Sequence, residues 1–164
     1  MSETYDRILR LRAIRSFDGR PLEASDLGAV LEAGRWTGSS KNRQGWSFVV
    51  VTDPAQRDAL AACGDFTQPV EDAPVTIALI QEPNGNDFDI GRLAQNLMLA
   101  ADALGLASCP VTLHRSAQAA TVLGLPPEAK VRYAIALGYP GVNPSPAKYG
   151  GRKPMEELVH RDRY

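Results

Sequence analysis

The chain is poor in the residues that usually announce a chemistry. Its 164 residues include only two cysteines and two histidines. Cys63 and Cys109 stand alone in sequence, which excludes a disulfide framework and gives no metal-ligand spacing. Cys109 falls in an apolar run and reads as a small core residue. His114 and His160 are lone histidines, and for His114, which follows the strand at 108–113, a surface position is the commoner reading. The formal net charge is −1, so nothing electrostatic favours nucleic acid or an anionic membrane as partner. No uninterrupted apolar run reaches membrane length. The opening M-S-E-T-Y-D lacks a basic-then-apolar signal pattern. No G-x-G-x-x-G follows a strand, which excludes a Rossmann dinucleotide site. There is no internal repeat and no linker. The expectation is one domain over residues 1–164, reduced and cytoplasmic, without a metal site.

With 44% hydrophobic residues, a chain of this length can bury a real core. A short helix from Tyr5 to Leu11 would turn Ile8 and Leu11 inward, ending before Pro21. A second helix runs from about Ala24 to Trp36, with Leu27, Val30, Leu31 and Gly34 on one face. Its cap is Glu23 or Ser25, and Gly34 would allow the close approach of another backbone. Strands are expected at 46–52, 75–80, 108–113 and 131–137, and helices at 54–62 and 116–123. The longest helix, about Phe88 to Leu104, is apolar nearly all round. It is therefore either central to a core or pressed against a second subunit. Pro110 interrupts the third strand and places it at an edge or a bend. The stretch from Val142 to Gly151 reads as an extended arm, followed by a last helical turn from Met155 to Val159.

Two clusters carry more than structural information. The stretch W-T-G-S-S-K-N-R-Q-G-W-S-F-V-V-V from Trp36 sets Ser39, Ser40, Asn42 and Gln44 between a helix end and a core strand. Binding groups often sit on such a loop, although a glycine-capped helix followed by solvated loop explains the residues as well. Far upstream, R-A-I-R-S-F spaces Arg12 and Arg15 three apart. In a helical turn both guanidinium groups would share one face and suit a phosphate. On spacing alone an ordinary basic face is the commoner reading, with Arg7, Arg10 and Arg20 nearby.

Together the two clusters resemble the nitroreductase family of FMN-dependent oxidoreductases. D-I-G-R-L-A-Q-N-L-M-L-A-A-D-A-L-G-L from Asp89 and A-L-G-Y-P…G-R-K-P-M-E-E-L-V from Ala136 extend the likeness over nearly the whole chain, in order. The resemblance implies an α+β fold, a central mostly antiparallel sheet flanked by helices, in an intertwined homodimer. It implies FMN held by Arg12, Ala13, Ile14, Arg15, Ser39, Ser40, Asn42, Gln44, Pro110, Thr112, Leu113 and Arg152, partly from the partner subunit. It further implies hydride transfer from NAD(P)H through flavin N5 to a quinone, nitroaromatic or other small electron acceptor. The two substrates would use one shared site in turn, and no catalytic acid, base or nucleophile is expected from the protein.

The chain departs from the family pattern in places. Gly38 and Gly45 stand where proline is common, which would loosen the loop. Ala13 stands for a frequent serine and Leu11 for an arginine. Only a short connection separates the strand at 75–80 from the helix at 88, where longer members insert lid-forming helices. The alternatives are a non-catalytic flavin or phospho-ligand binder, and a specialised relative such as a dehalogenase or flavin-modifying enzyme.

Overall fold

A computed structural model describes residues 2–142 and 151–164. Four strands make one antiparallel sheet: β1 (Trp46–Val51), β2 (Val75–Gln81), β3 (Ala107–Thr112) and β4 (Lys130–Gly138). Their order across the sheet is β1-β2-β4-β3, so β3 is an edge strand, as its proline requires. Seven α-helices occur among the described residues: α1 (Glu3–Arg10), α2 (Ala24–Arg35), α3 (Pro54–Ala61), α4 (Gln68–Asp72), α5 (Asp87–Ala103), α6 (Ser116–Val122) and α7 (Met155–Leu158), the last exposed throughout. The fold is the α+β arrangement expected.

Both faces are buried along β2 and the second half of β4, which is why these read as continuous apolar runs rather than alternating ones. One face carries Ala78, Ile80, Cys109, Val111, Val131, Ala134 and Ala136 against residues of α3, α4 and α6. The other carries Ile77, Leu79, Ile135 and Leu137 against Val30 of α2 and Ile90, Leu93 and Leu97 of α5. Helix α5 starts from a side-chain cap: Asn86 Oδ1 accepts from the Asp89 N–H at 3.0 Å, and Asn86 Nδ2 donates to Asp89 Oδ2 at 2.8 Å. Its stripe of Ile90, Leu93, Leu97, Met98 and Ala101 is buried, while Phe88 and Leu104 stay exposed. The helix thus belongs to its own chain's core along one stripe only. Gly105 follows with φ +73°, the left-handed terminator expected there.

Several expectations need correction. Ile8 does not turn inward; it is 49% exposed, beside exposed Tyr5 and Leu9. Helix α1 is held instead by Arg7, whose guanidinium reaches Asp102 Oδ2 at 2.6 Å, and by half-buried Leu11. Glu23 occupies the cap position of α2 but makes no side-chain bond there. Gly34 admits side chains of its own core rather than another backbone: an added Cβ would lie 2.8 Å from Leu97 and 2.9 Å from Phe48. The short helix α4 falls where no element was expected. Most of the proposed arm, 143–150, lies outside the described residues, and 151–164 is exposed throughout.

Candidate functional site

The segment carrying Arg12 and Arg15 is not helical. Helix α1 ends at Arg10, and the chain continues extended from Leu11 (φ −53°, ψ 129°). Tertiary bonds explain this. The Ile14 N–H donates to Ser108 O of β3 at 2.9 Å, the Asp18 N–H to Tyr139 O at 3.1 Å, and the Gly141 N–H to Ser16 O at 2.9 Å. Phe17 also pairs with Pro140. The segment is therefore an added strip along the start of β3 and the end of β4. Residues three apart on such a strip do not share a face, so the helical-face argument for the arginine pair fails. Arg12 folds back, its Nη1 on the carbonyls of Leu9 at 2.9 Å and Leu11 at 2.7 Å. Arg15 is exposed beside β3, close enough for its charge to offset part of the upward push that burial gives the Cys109 thiol. Ala13 packs against the core, and Ile14 contributes its backbone.

Around Pro110 the outer edge of β3 is uncovered among the described residues. The Leu113 N–H donates inward to Arg132 O at 2.8 Å, and the antiparallel ladder alternates. Ser108, Pro110 and Thr112 therefore turn their backbone groups outward. Pro110 has no N–H to leave unpaired there and is exposed. The outward N–H of Thr112 finds no acceptor among the described residues. Leu113 is not available for such a site: its side chain is fully buried, its N–H is taken, and its carbonyl accepts from the Ser116 hydroxyl at 3.0 Å.

A loop that carries no family motif adjoins this edge. Gly64 lies so close to β3 that an added Cβ would come within 2.7 Å of Thr112 O. Arg115 fixes it, with bonds to Ala62 O at 3.0 Å, Gly64 O at 2.6 Å and Asp65 Oδ1 at 2.6 Å. That pairing holds the Asp65 carboxyl below the usual carboxylate range. His114 Nδ1 accepts from the Asp65 N–H at 3.2 Å, and its ring stands edge-on to Phe66, which is 83% exposed. Sequence alone marks Phe66 only as an aromatic among turn residues, and nothing there joins it to His114.

The loop of Ser39, Ser40, Asn42 and Gln44 is strained and held. Lys41, Asn42 and Gln44 have φ of 54°, 53° and 49°, a region costing non-glycine residues on the order of 1 kcal/mol each. Ser39 Oγ accepts from the Gln44 N–H at 2.8 Å. Helix α5 anchors the loop's entrance through Arg92 Nη1 to Gly38 O at 2.6 Å and Asn96 Nδ2 to Thr37 Oγ1 at 2.8 Å. Gly45 does not loosen it. An added Cβ at Gly45 would meet Gly85 Cα at 2.5 Å, and Gly45 O accepts from the Glu82 N–H at 3.1 Å. Shallow hollows of about 330 and 410 Å³ flank the loop, with Asn42 on the first and Gln44 on both.

One chain does not bring these parts together. Ser108 pairs with Leu137, which pairs with Val75, whereas Gln44 enters β1 at Trp46, opposite Gln81. The arginine strip and the loop thus lie at diagonal corners of the sheet, on the order of 20 Å apart from strand rise and spacing. Arg152 is exposed, its Nη1 donating to the carbonyl of Gly151 at 2.7 Å.

Comparison with known proteins agrees with the architecture. The NADPH-flavin oxidoreductase of Vibrio harveyi is 30% identical over 184 residues, covering 100% of this chain and 75% of that protein. The structure of the Vibrio harveyi NADPH:FMN oxidoreductase complexed with NAD+ superposes with a TM-score of 0.88 at 29% identity, covering 99% of this chain and 78% of the other. The FMN-dependent nitroreductase of Clostridium difficile, of similar length, gives 0.82 at 25% identity, with 96% and 98% covered. The sequence pattern of the nitroreductase family matches residues 8–64 and 67–139. With the sheet order and the open β3 edge, that match makes this chain a member of the nitroreductase family.

Proposed function

We propose that the protein is an FMN-dependent oxidoreductase, taking reducing equivalents from NADH or NADPH and delivering them to a small acceptor such as a quinone or nitroaromatic. The observation that carries this reading is the outer edge of β3: an exposed Pro110, an outward N–H at Thr112 and, on the adjoining strip, an exposed Arg15 without an ion-pair partner among the described residues. These groups fit FMN, which needs a cation at its phosphate, a flat surface for its ring and backbone donors along the ring edge. The flavin and FMN named for similar proteins support the same cofactor.

Bound FMN would supply the redox chemistry, accepting a hydride at N5 and passing it on. The chain's own residues bind and orient. Arg15 would hold the phosphate, with Arg12 after leaving its carbonyls and Arg152 from the carboxy-terminal arm. Thr112 would donate its backbone N–H to the ring, and Pro110 would face it. Ser39, Ser40, Asn42 and Gln44 would serve the ring from a second copy of the chain, since their own arginine strip is a sheet diagonal away. The exposed apolar side chains of α1 and α7, Tyr5, Ile8, Leu9, Met155 and Leu158, give a homodimer surface to cover. With no second nucleotide motif, donor and acceptor would occupy one place in turn.

The test is the purified protein itself. A flavin spectrum that survives desalting, and NAD(P)H oxidation on adding a quinone with parallel double-reciprocal lines, is the expected result. Colourless protein that takes up no FMN contradicts the cofactor; intersecting lines contradict the shared site; flavin without turnover leaves a binding protein.

A further inference from the structure

A cleft of about 550 Å³ opens where α6, the turn at 125–127 and the start of β4 meet the first turn of α5. That volume lies within the range of small-molecule sites. None of the residues expected at FMN lines it. Two cations do, Lys130 and Arg132, and neither forms an ion pair among the described residues.

The backbone is built to place them. Leu79 pairs with Tyr133 but Ile80 pairs with Val131, so Arg132 is the extra residue of a β-bulge. The bulge switches faces: Val131 joins one core cluster and Tyr133 the other. Bulges of this kind re-aim a side chain. Here the guanidinium lies 5.9 Å from the Tyr133 ring centroid, at the cleft.

The other walls decide what the cations can take. The Ser116 and Thr121 hydroxyls donate to the carbonyls of Leu113 at 3.0 Å and Ala117 at 3.1 Å. The Gln81 amide donates to Gly85 O at 3.4 Å, and among the lining residues only Lys130 and Arg132 bring positive charge to an anion. Asp87 on the α5 side leaves two positive charges against one negative, a balance that suits a monoanion better than a dianion. Leu125, Pro126 and Pro127 supply an apolar wall for an organic body. We propose that this cleft binds a small amphipathic monocarboxylate, its carboxylate on Lys130 and Arg132 and its hydrocarbon on Leu125 and the two prolines. The site does not depend on the flavin reading, although the Leu113 N–H to Arg132 O bond sets it directly behind β3.

The experiment is an amide-resonance titration of the full chain, with and without FMN, using hexanoate, hexanamide and inorganic phosphate as probes. Hexanoate, being aliphatic, does not stack on a flavin ring. The expected result is saturable shifts at residues 130–133 and 116–121 with hexanoate, binding at least tenfold weaker for hexanamide and for phosphate, and an unchanged flavin spectrum. Lys130→Gln/Arg132→Gln should lose at least tenfold in hexanoate affinity with its melting temperature kept; if that variant does not fold, the comparison of the three probes on the natural chain decides alone. Equal binding of hexanamide, phosphate binding as well as hexanoate, or no saturable shift at these residues overturns the proposal.

Discussion

The Ile14 N–H and the Ser108 carbonyl, 2.9 Å apart, fix where the arginine segment can act. That bond lays the strip along β3 and leaves Arg15 exposed beside its edge, whereas Arg12 is bonded to the carbonyls of Leu9 and Leu11. Arg15→Ala should therefore weaken FMN binding roughly ten- to a hundredfold, the worth of a charge-assisted contact. Arg12→Ala should cost less, because Arg12 must first give up the Leu9 and Leu11 carbonyls. Titration of apo-protein with FMN, followed by flavin fluorescence, ranks the two. An equal or reversed ranking would assign the phosphate to Arg12.

The contact of Gly45 with Gly85 predicts a stability effect at a position the family often fills with proline. Any Cβ at 45 meets backbone at 2.5 Å, and backbone cannot turn aside as a side chain can. Gly45→Ala should destabilise the fold by about 1–3 kcal/mol, read from denaturant midpoints at constant slope. Gly38→Ala is the control: its added Cβ would meet only the Arg92 guanidinium at 3.0 Å, the far end of a flexible side chain, and should cost less.

Helix α2 ends in a small acid-sensitive lock. Glu32 accepts from Arg35 at 2.6 and 2.7 Å and from the Trp36 indole N–H at 2.7 Å. The Arg35 bond first, and the Trp36 bond second, bring its carboxyl down from 4.5 to about 2. A lowered carboxylate stabilises the fold above its unfolded value and loses that contribution as pH falls through the folded one. The lock should thus hold above about pH 4.5 and open toward pH 2. The Trp36 indole N–H resonance should follow that titration and be insensitive to it in Glu32→Gln. Because Glu32 is solvent-exposed, screening keeps its effect on global stability small.

The fold was largely legible in the sequence because its elements are strongly patterned. The apolar runs of β1, β2 and β4, the stripe of α5 and the terminator Gly105 point to local structure without tertiary help. Helix α4 escaped because Gln68 to Asp72 is too short to show a period. The strip at 12–17 was misread for a different reason. Its conformation is set by Ser108, Tyr139 and Pro140, roughly a hundred residues away, and no local spacing encodes that. Leu113 was grouped with Pro110 and Thr112, whereas simple alternation along β3 turns its backbone the other way, toward β4. The clasp of Arg115 on the loop of Phe66 has no sequence signature at all.

Arg92 and Asn96 place the Ser39–Gln44 loop from α5. If that loop serves a second copy's flavin, Asn96→Ala should lower FMN affinity while leaving Arg15 and β3 untouched. The loss should be about fivefold to tenfold, the scale of one neutral hydrogen bond. Mixing Asn96→Ala with Arg15→Ala should restore one full-affinity site per heterodimer, because each chain then supplies the half the other lacks. Failure of any mixed population to recover would put both defects in one chain's site.

The central claim is that FMN binds between two copies of the chain, and sedimentation across a dilution series tests it most directly. Absorbance is followed at a protein and at a flavin wavelength, with and without added FMN. A ligand bound only by the dimer stabilises it by mass action, about 2.7 kcal/mol per site at a hundredfold excess over its dissociation constant. The account predicts that flavin absorbance sediments only with the dimer, and that added FMN moves dissociation to lower protein concentration. A monomer carrying FMN at full affinity would contradict it and leave a site complete within one chain.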